Sequence, residues 1–153
     1  AIEVGYSPEM ILAGRRLNDN MGFYVASQIS KLMTKKRIHV VGANVLVMGL
    51  TFKENCPDLR NTRVVDLIAE LKSFNCNVDV YDPLASVSEA NYEYNIKLID
   101  KPINGKYEAI VLAVAHDEFK RLSIEKIKSF AKTNHILYDI KYILDASQVD
   151  GRI

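Results

Sequence analysis

VLVMGLTFKENCPDLRNTRVVDL, residues 45–67, reads as a strand that runs into a loop and then into a helix. Val45 to Leu50 is a short, almost continuous apolar run, as expected of a strand buried on both faces of a parallel sheet. Val64, Leu67, Ile68 and Leu71 then recur at helical spacing, and that stripe ends at Asn75. The loop between them carries Gly49, Phe52, Lys53, Cys56, Arg60 and Arg63. Its chemistry fits three descriptions: a phosphate cradle, a cysteine site or a plain connection.

The same alternation continues along the chain. NVDVYDP (77–83) is a second strand stopped by Pro83, and Ser86 with Glu89 forms a capping-box pair for a short helix. IKLI (96–99) reads as a third strand and AIVLAVA (109–115) as the most apolar one. Ile124, Ile127 and Ala131 mark another amphipathic helix, and HILYDI (135–140) is the last strand. Strands separated by helices predict an α/β fold with a doubly wound, mostly parallel, Rossmann-like sheet and right-handed crossovers.

A long helix is expected ahead of this sheet. Ser7 is its N-cap and Pro8 its first residue, and Leu17, Met21, Val25, Ile29 and Leu32 form one stripe. From Pro8 to about Met33 it would span roughly 39 Å. That length suits a connector or a dimer element better than a helix packed on a small domain. The expected division is therefore a connecting helix over 1–37 and a ligand-binding domain over 38–153. A dimer is expected through residues 8–33.

Bulk properties narrow the function classes. The 153 residues include 20 basic and 19 acidic ones, so wholesale nucleic-acid binding has no electrostatic support. No apolar run approaches the roughly 20 residues of a membrane helix, and no signal peptide is visible. Cys56, Cys76, His39, His116 and His135 match neither a disulfide framework nor a zinc pattern. A cytoplasmic α/β protein with reduced thiols and no membrane contact is expected. The first residue is Ala1, which fits either processing or a piece of a longer protein.

Ligands of such a fold bind beyond the carboxyl ends of the strands. The 50–63 loop leaves the first strand there, and Gly49 allows a ligand or another backbone to come close. A helix starting near Asn61 or Thr62 would aim its positive dipole end at the same space, with Lys53, Arg60 and Arg63 nearby. Lys141, after the last strand, converges on the same edge. These features suit a phosphate or diphosphate. The loop holds no G-x-G-x-x-G fingerprint for a dinucleotide. Asp82 stands where a ribose-binding acid would fall, but an aspartate before proline is also an ordinary turn residue. His116 is either a ligand contact or a hydrogen-bonded loop histidine. Cys56 would need a base to act as a nucleophile, and no histidine is placed by sequence to serve it. Cys76 reads as core.

Four ordered blocks, GLTFKENCPDLRNTRVVDLI (49–68), VDVYDP (78–83), AIVLAVAHDEF (109–119) and YDIKYIL (138–144), resemble the carboxyl-terminal domain of the UDP-glucose/GDP-mannose dehydrogenases. ILAGRRLNDNMGFYVA (11–26) resembles the end of that family's central helix, which builds its dimer. FKENCPDLRNT and GRRLNDNMG resemble the UDP-N-acetyl-hexosamine subgroup (N-acetylglucosamine or N-acetylmannosamine). The resemblance implies oxidation of the C6 alcohol of a UDP-sugar to a carboxylate, in two hydride transfers to NAD through a thioester on a catalytic cysteine. It implies surface-polysaccharide precursors as products. It places the family's UDP-contacting lysine at Lys53, after Phe52, and its basic residue after the last strand at Lys141. It also brings an arginine to a neighbouring subunit's substrate, near Arg15 and Arg16. The family's NAD domain and its Gly-Gly-x-Cys-x-Pro nucleophile segment do not occur in this sequence, and Cys56 occupies a different place. A carboxyl-terminal fragment, inactive alone and relying on an amino-terminal NAD domain of the same protein, is expected. A non-enzymatic nucleotide-binding or assembly module is the alternative.

Overall fold

The computed structural model describes residues 20–153. The expected helix start at Ser7-Pro8, and Arg15 and Arg16, lie outside them. The first described element, α1, is Met21–Lys35. It is followed by β1 (Asn44–Met48), α2 (Val64–Ser73), β2 (Asn77–Tyr81), α3 (Val87–Tyr94) and β3 (Tyr107–Leu112). Two short helices, α4 (Asp117–Lys120) and α5 (Ile124–Ser129), precede β4 (Ala131–Asp139) and the two-residue β5 (Gly151–Arg152).

The five strands form one parallel sheet in the order β2-β1-β3-β4-β5. In-register pairing sets Val45 beside Val78 on one side and Ala109 on the other. Because side chains alternate along a strand, β1 feeds two cores. Val45 and Val47 face one side with Val80, Ala109, Val111 and Ile136, covered by α1 and α2. Leu46 and Met48 face the other with Ile110, Leu112 and Leu137, covered by Phe119, Ile127 and Phe130. Burial on both faces is why β1 and β3 read as unbroken apolar runs.

Several boundaries differ from the sequence reading. IKLI is not a full strand: it makes a single parallel bridge, Leu98 to Val80, with Ile99 N–H donating to Val80 O. Ala131 is not in a helix, because α5 stops at Ser129 and Ala131 opens β4 opposite Tyr107. The helix after the opening loop starts at Val64 rather than at Asn61 or Thr62. The reason is local. Thr62 Oγ1 donates to Leu50 O at 2.6 Å and accepts from Val64 N–H at 3.3 Å, so Thr62 ties the loop instead of entering the helix. Of the Ser86–Glu89 capping box the structure shows the Ser86 half, its hydroxyl accepting from Glu89 N–H at 3.2 Å.

Within the described residues the apolar stripe of α1 lies against the protein's own sheet. Val25, Ala26, Ile29 and Met33 have no exposed surface, and Met21 and Leu32 pack on the same core. Phe23 and Tyr24, on the outer side, are about half exposed. The α1–α2 approach is close at Gly22, where an added Cβ would lie 2.7 Å from Leu67 N. We expect Gly22→Ala to cost about 1–3 kcal/mol by forcing the helices apart. Urea unfolding would measure it, and an unchanged midpoint would mean the contact yields freely.

Candidate functional site

The strand order reverses between β1 and β3, and a crevice opens at the carboxyl ends of the strands there. A cleft of about 470 Å³ occupies it. Thr51 and Phe52 come from the loop after β1, Ala113 and Val114 from the segment after β3, and Lys141 from the turn after β4. The start of α2, through Thr62, Arg63 and Val64, and Met21 of α1 complete the lining. Phe52 and Lys141 are thus brought together beside a helix N-terminus. Lys53, next to Phe52, is exposed but does not line this cleft. Among the described residues neither Lys53 nor Lys141 is in a salt bridge. Arg60 is occupied by Asp58, with its Nε and Nη2 donating to the carboxylate at 3.1 and 3.0 Å. Arg63 lies 3.9 Å from Asp66.

The loop that carries Phe52 is anchored by buried polar groups. Asp82 Oδ2 accepts from Leu50 N–H at 2.7 Å, Thr51 N–H at 3.0 Å and His116 Nε2 at 3.0 Å. Its other oxygen accepts from Leu84 N–H at 2.9 Å and Ala85 N–H at 3.3 Å. Asp82 is therefore a turn residue and also the link between the β1 and β2 loops. Both side chains of the Asp82–His116 pair are fully buried. Burial alone pushes the Asp82 carboxyl up. The hydrogen bonds from His116 and from the Leu50, Leu84 and Thr51 amides outweigh it and hold the group below its ordinary 3.8.

His116 is a hydrogen-bonded loop histidine. Its Nδ1 accepts from Asn55 N–H at 3.0 Å, so the ring proton belongs on Nε2, facing Asp82. Thr51 Oγ1 donates to Lys53 O at 3.1 Å and lies 3.2 Å from His116 Nε2. With both nitrogens engaged, His116 is not available as a base for a thiol. Cys56 is half-buried and absent from the cleft lining. Cys76 is buried, donates to Val40 O at 3.3 Å, and burial pushes its thiol up. Gly49 leaves no space for a ligand. With φ +105° it packs on Val114, and an added Cβ would sit 2.6 Å from Val114 Cβ. The close approach read from the sequence is thus backbone against the β3 loop.

Lys141 is set by a second buried carboxylate. Asp139 has no exposed surface and accepts from Lys141 N–H at 3.1 Å and from Leu144 N–H at 2.8 Å. Tyr142 follows with φ +56°, a left-handed conformation uncommon for a bulky residue. Arg152 stacks 4.0 Å over its ring. Sequence reasoning saw Asp82 and His116 singly and missed their pairing, and it missed Asp139 as an anchor. The signal was available: Asp82 and His116 follow the two strands that flank β1.

Asp82→Ala should cost about 3 kcal/mol or more, since it leaves buried N–H groups unpaired. Asp82→Asn tests the charge. A depressed carboxyl stabilises the fold above its unfolded value of about 3.8 and loses that contribution as pH falls through the lower folded value. The gap in urea midpoint between wild type and Asp82→Asn should thus be full near about pH 7 and shrink below about pH 3.8. A gap independent of pH would refute the ionised assignment.

Over all 153 residues the chain is 57% identical to a UDP-N-acetyl-D-glucosamine 6-dehydrogenase of Pseudomonas aeruginosa, spanning 36% of that protein's length. It is 51% identical over 150 residues to the Salmonella typhi enzyme of the same name, 98% of this chain and 35% of that one. The chain therefore spans about a third of the length of these relatives. In structure it superposes on a UDP-D-ManNAc dehydrogenase of Pyrococcus horikoshii with a TM-score of 0.76 at 24% identity, covering 98% of this chain and 34% of that one. Residues 46–146 match the UDP binding domain of one family, a span that runs from within β1 through β4 and holds every cleft-lining residue named above except Met21. The chain belongs to the UDP-glucose/GDP-mannose dehydrogenase family, through its UDP binding domain.

Proposed function

We propose that this chain is the nucleotide-sugar half of an NAD-dependent UDP-N-acetyl-hexosamine 6-dehydrogenase, and that the cleft binds the UDP moiety. The observation that carries the reading is the meeting of Phe52, Lys141 and the N-terminus of α2 on one cleft at the switch point of the sheet. A diphosphate of charge about −2 gains from a lysine and from the positive end of a helix. Phe52, about half exposed, offers an apolar surface beside them. Lys53 is proposed as a second cation at the rim, reaching the ligand from the same loop. Arg15 and Arg16 are proposed to serve a neighbouring subunit's site.

The whole protein would convert the C6 alcohol of the sugar to a carboxylate, with NAD accepting hydride. The residues of this sheet do not fit NAD. Asp82, in the position of a ribose-binding acid, has both oxygens committed to the fold, and Val114 fills the space beside Gly49. NAD is therefore proposed to bind on the amino-terminal domain of the same protein, with the catalytic cysteine. Residues 1–37 are proposed to connect that domain to this one and to form a homodimer. The proposed compartment is the cytoplasm. Among the described residues no helix is long and apolar enough to cross a membrane.

Calorimetric titration with UDP, and with NAD in parallel, tests the assignment. UDP should bind and NAD should not, and binding of NAD alone would make the sheet a cofactor domain instead. Lys141→Ala should weaken UDP binding by about 1.5–3 kcal/mol, as expected for a charged hydrogen bond. Lys53→Ala should act in the same direction. Unchanged affinity in both variants would place the nucleotide elsewhere. Light scattering checks the dimer, and a monodisperse monomer would refute it.

A further inference from the structure

The loop that carries Phe52 has no helix or strand between Gly49 and Arg63, yet it forms one wall of the cleft. Part of its hold is a reciprocal pair of hydrogen bonds to the segment after β3. Asn55 N–H donates to His116 Nδ1 at 3.0 Å, and Asp117 N–H donates to Asn55 Oδ1 at 3.0 Å. Asn55 has φ +58°, in the left-handed region that asparagine tolerates. At the root of the loop, Thr51 bonds to Asp82 through its backbone and lies against His116 through its hydroxyl. The imidazole is wholly buried and packs on Phe119 at a centroid distance of 5.3 Å.

His116 therefore meets the loop at Thr51 and again at Asn55, and only Phe52, Lys53 and Glu54 lie between. With Asn55 held by the ring and Thr51 held by Asp82, to which the same ring bonds, that short span has little freedom. We propose that His116, as its neutral Nε2–H tautomer, is the positioning residue that sets Phe52 across the cleft from Lys141, with Lys53 at the rim. The role needs one acceptor and one donor, held at the fixed separation of an imidazole. Its consequence for nucleotide binding rests on the UDP reading above, whereas the clamp itself does not. His116 is buried behind the loop and does not line the cleft, so it acts through the loop and not on a ligand.

The test uses the ¹⁵N-labelled chain with His116→Gln and His116→Phe. Gln keeps one donor and one acceptor, and Phe keeps only the bulk. Ring ¹⁵N shifts should show a proton on Nε2 of His116. Amide exchange at Asn55 should rise about tenfold or more in His116→Phe and return toward wild type in His116→Gln. UDP affinity should follow the same order, about tenfold weaker with Phe and near wild type with Gln. Should His116→Phe fail to fold, Asn55→Gly serves, since it keeps the left-handed backbone and removes the carboxamide. It should speed exchange at Asp117 and weaken UDP binding. A proton on Nδ1, or Asn55 exchange unaffected by His116→Phe, would overturn the clamp. Faster exchange with undiminished UDP affinity would overturn the positioning role. If wild type does not bind UDP while exchange responds as expected, the clamp stands and the UDP reading fails.

Discussion

Asp82 keeps a carboxylate below the surface beside a neutral histidine, and the fold tolerates that charge by directing five donors at it. Four are backbone amides, from the turn after β1 and the turn after β2. The fifth is His116, from the segment after β3. Three loops that are distant in sequence share one acceptor, and the loss of any one donor leaves the buried charge less satisfied. The position of the opening loop follows from this arrangement, and Leu50, held by Asp82, in turn accepts from Thr62 just ahead of α2. Tyr94 adds a brace from α3, its hydroxyl donating to Leu59 O at 2.5 Å.

Asp139 plays a similar part at the other wall. It is buried, it takes the amides of Lys141 and Leu144, and it fixes the turn from which Lys141 reaches the cleft. Both walls are thus held by a buried carboxylate near a strand end: Asp139 folds its own following turn, whereas Asp82 reaches from the end of β2 to the loop after β1. The groups that face the cleft, Phe52 and Lys141, are left to solvent. Among the described residues, buried aspartates hold the walls rigid and leave the side chains of their exposed neighbours free of the fold's own hydrogen bonding, the preorganisation that a binding site needs.

The elements most legible in the sequence were those whose burial is extreme. Val45–Leu50 and 109–115 read as strands because both faces are covered, and Val64, Leu67, Ile68 and Leu71 as a helix because only one face is. Legibility failed where spacing was compatible with more than one structure. Ala131 follows Ile127 by four residues, as in a helix, yet the chain turns at Phe130 and Ala131 pairs with Tyr107. IKLI has strand composition, but its neighbours leave it one bridge. Lys141 could be placed at the carboxyl edge because every parallel strand ends there. Lys53 could be placed on the loop but not on the cleft, since the direction of a loop side chain depends on hydrogen bonds such as Asn55 to His116. Polar pairs between distant loops carry no periodicity, so Asp82 and His116 were visible only as separate residues.

The sheet ends abruptly at both sides. Among the described residues a single bridge, at Leu98, lies beyond β2, flanked by Lys97 and Lys101, and on the far side β5 has two residues, Gly151 and Arg152. A foreign strand arriving beside β5 meets few backbone groups to pair with and the charge of Arg152 beside them. The brevity of β5 therefore guards that side of the sheet against edge-to-edge polymerisation.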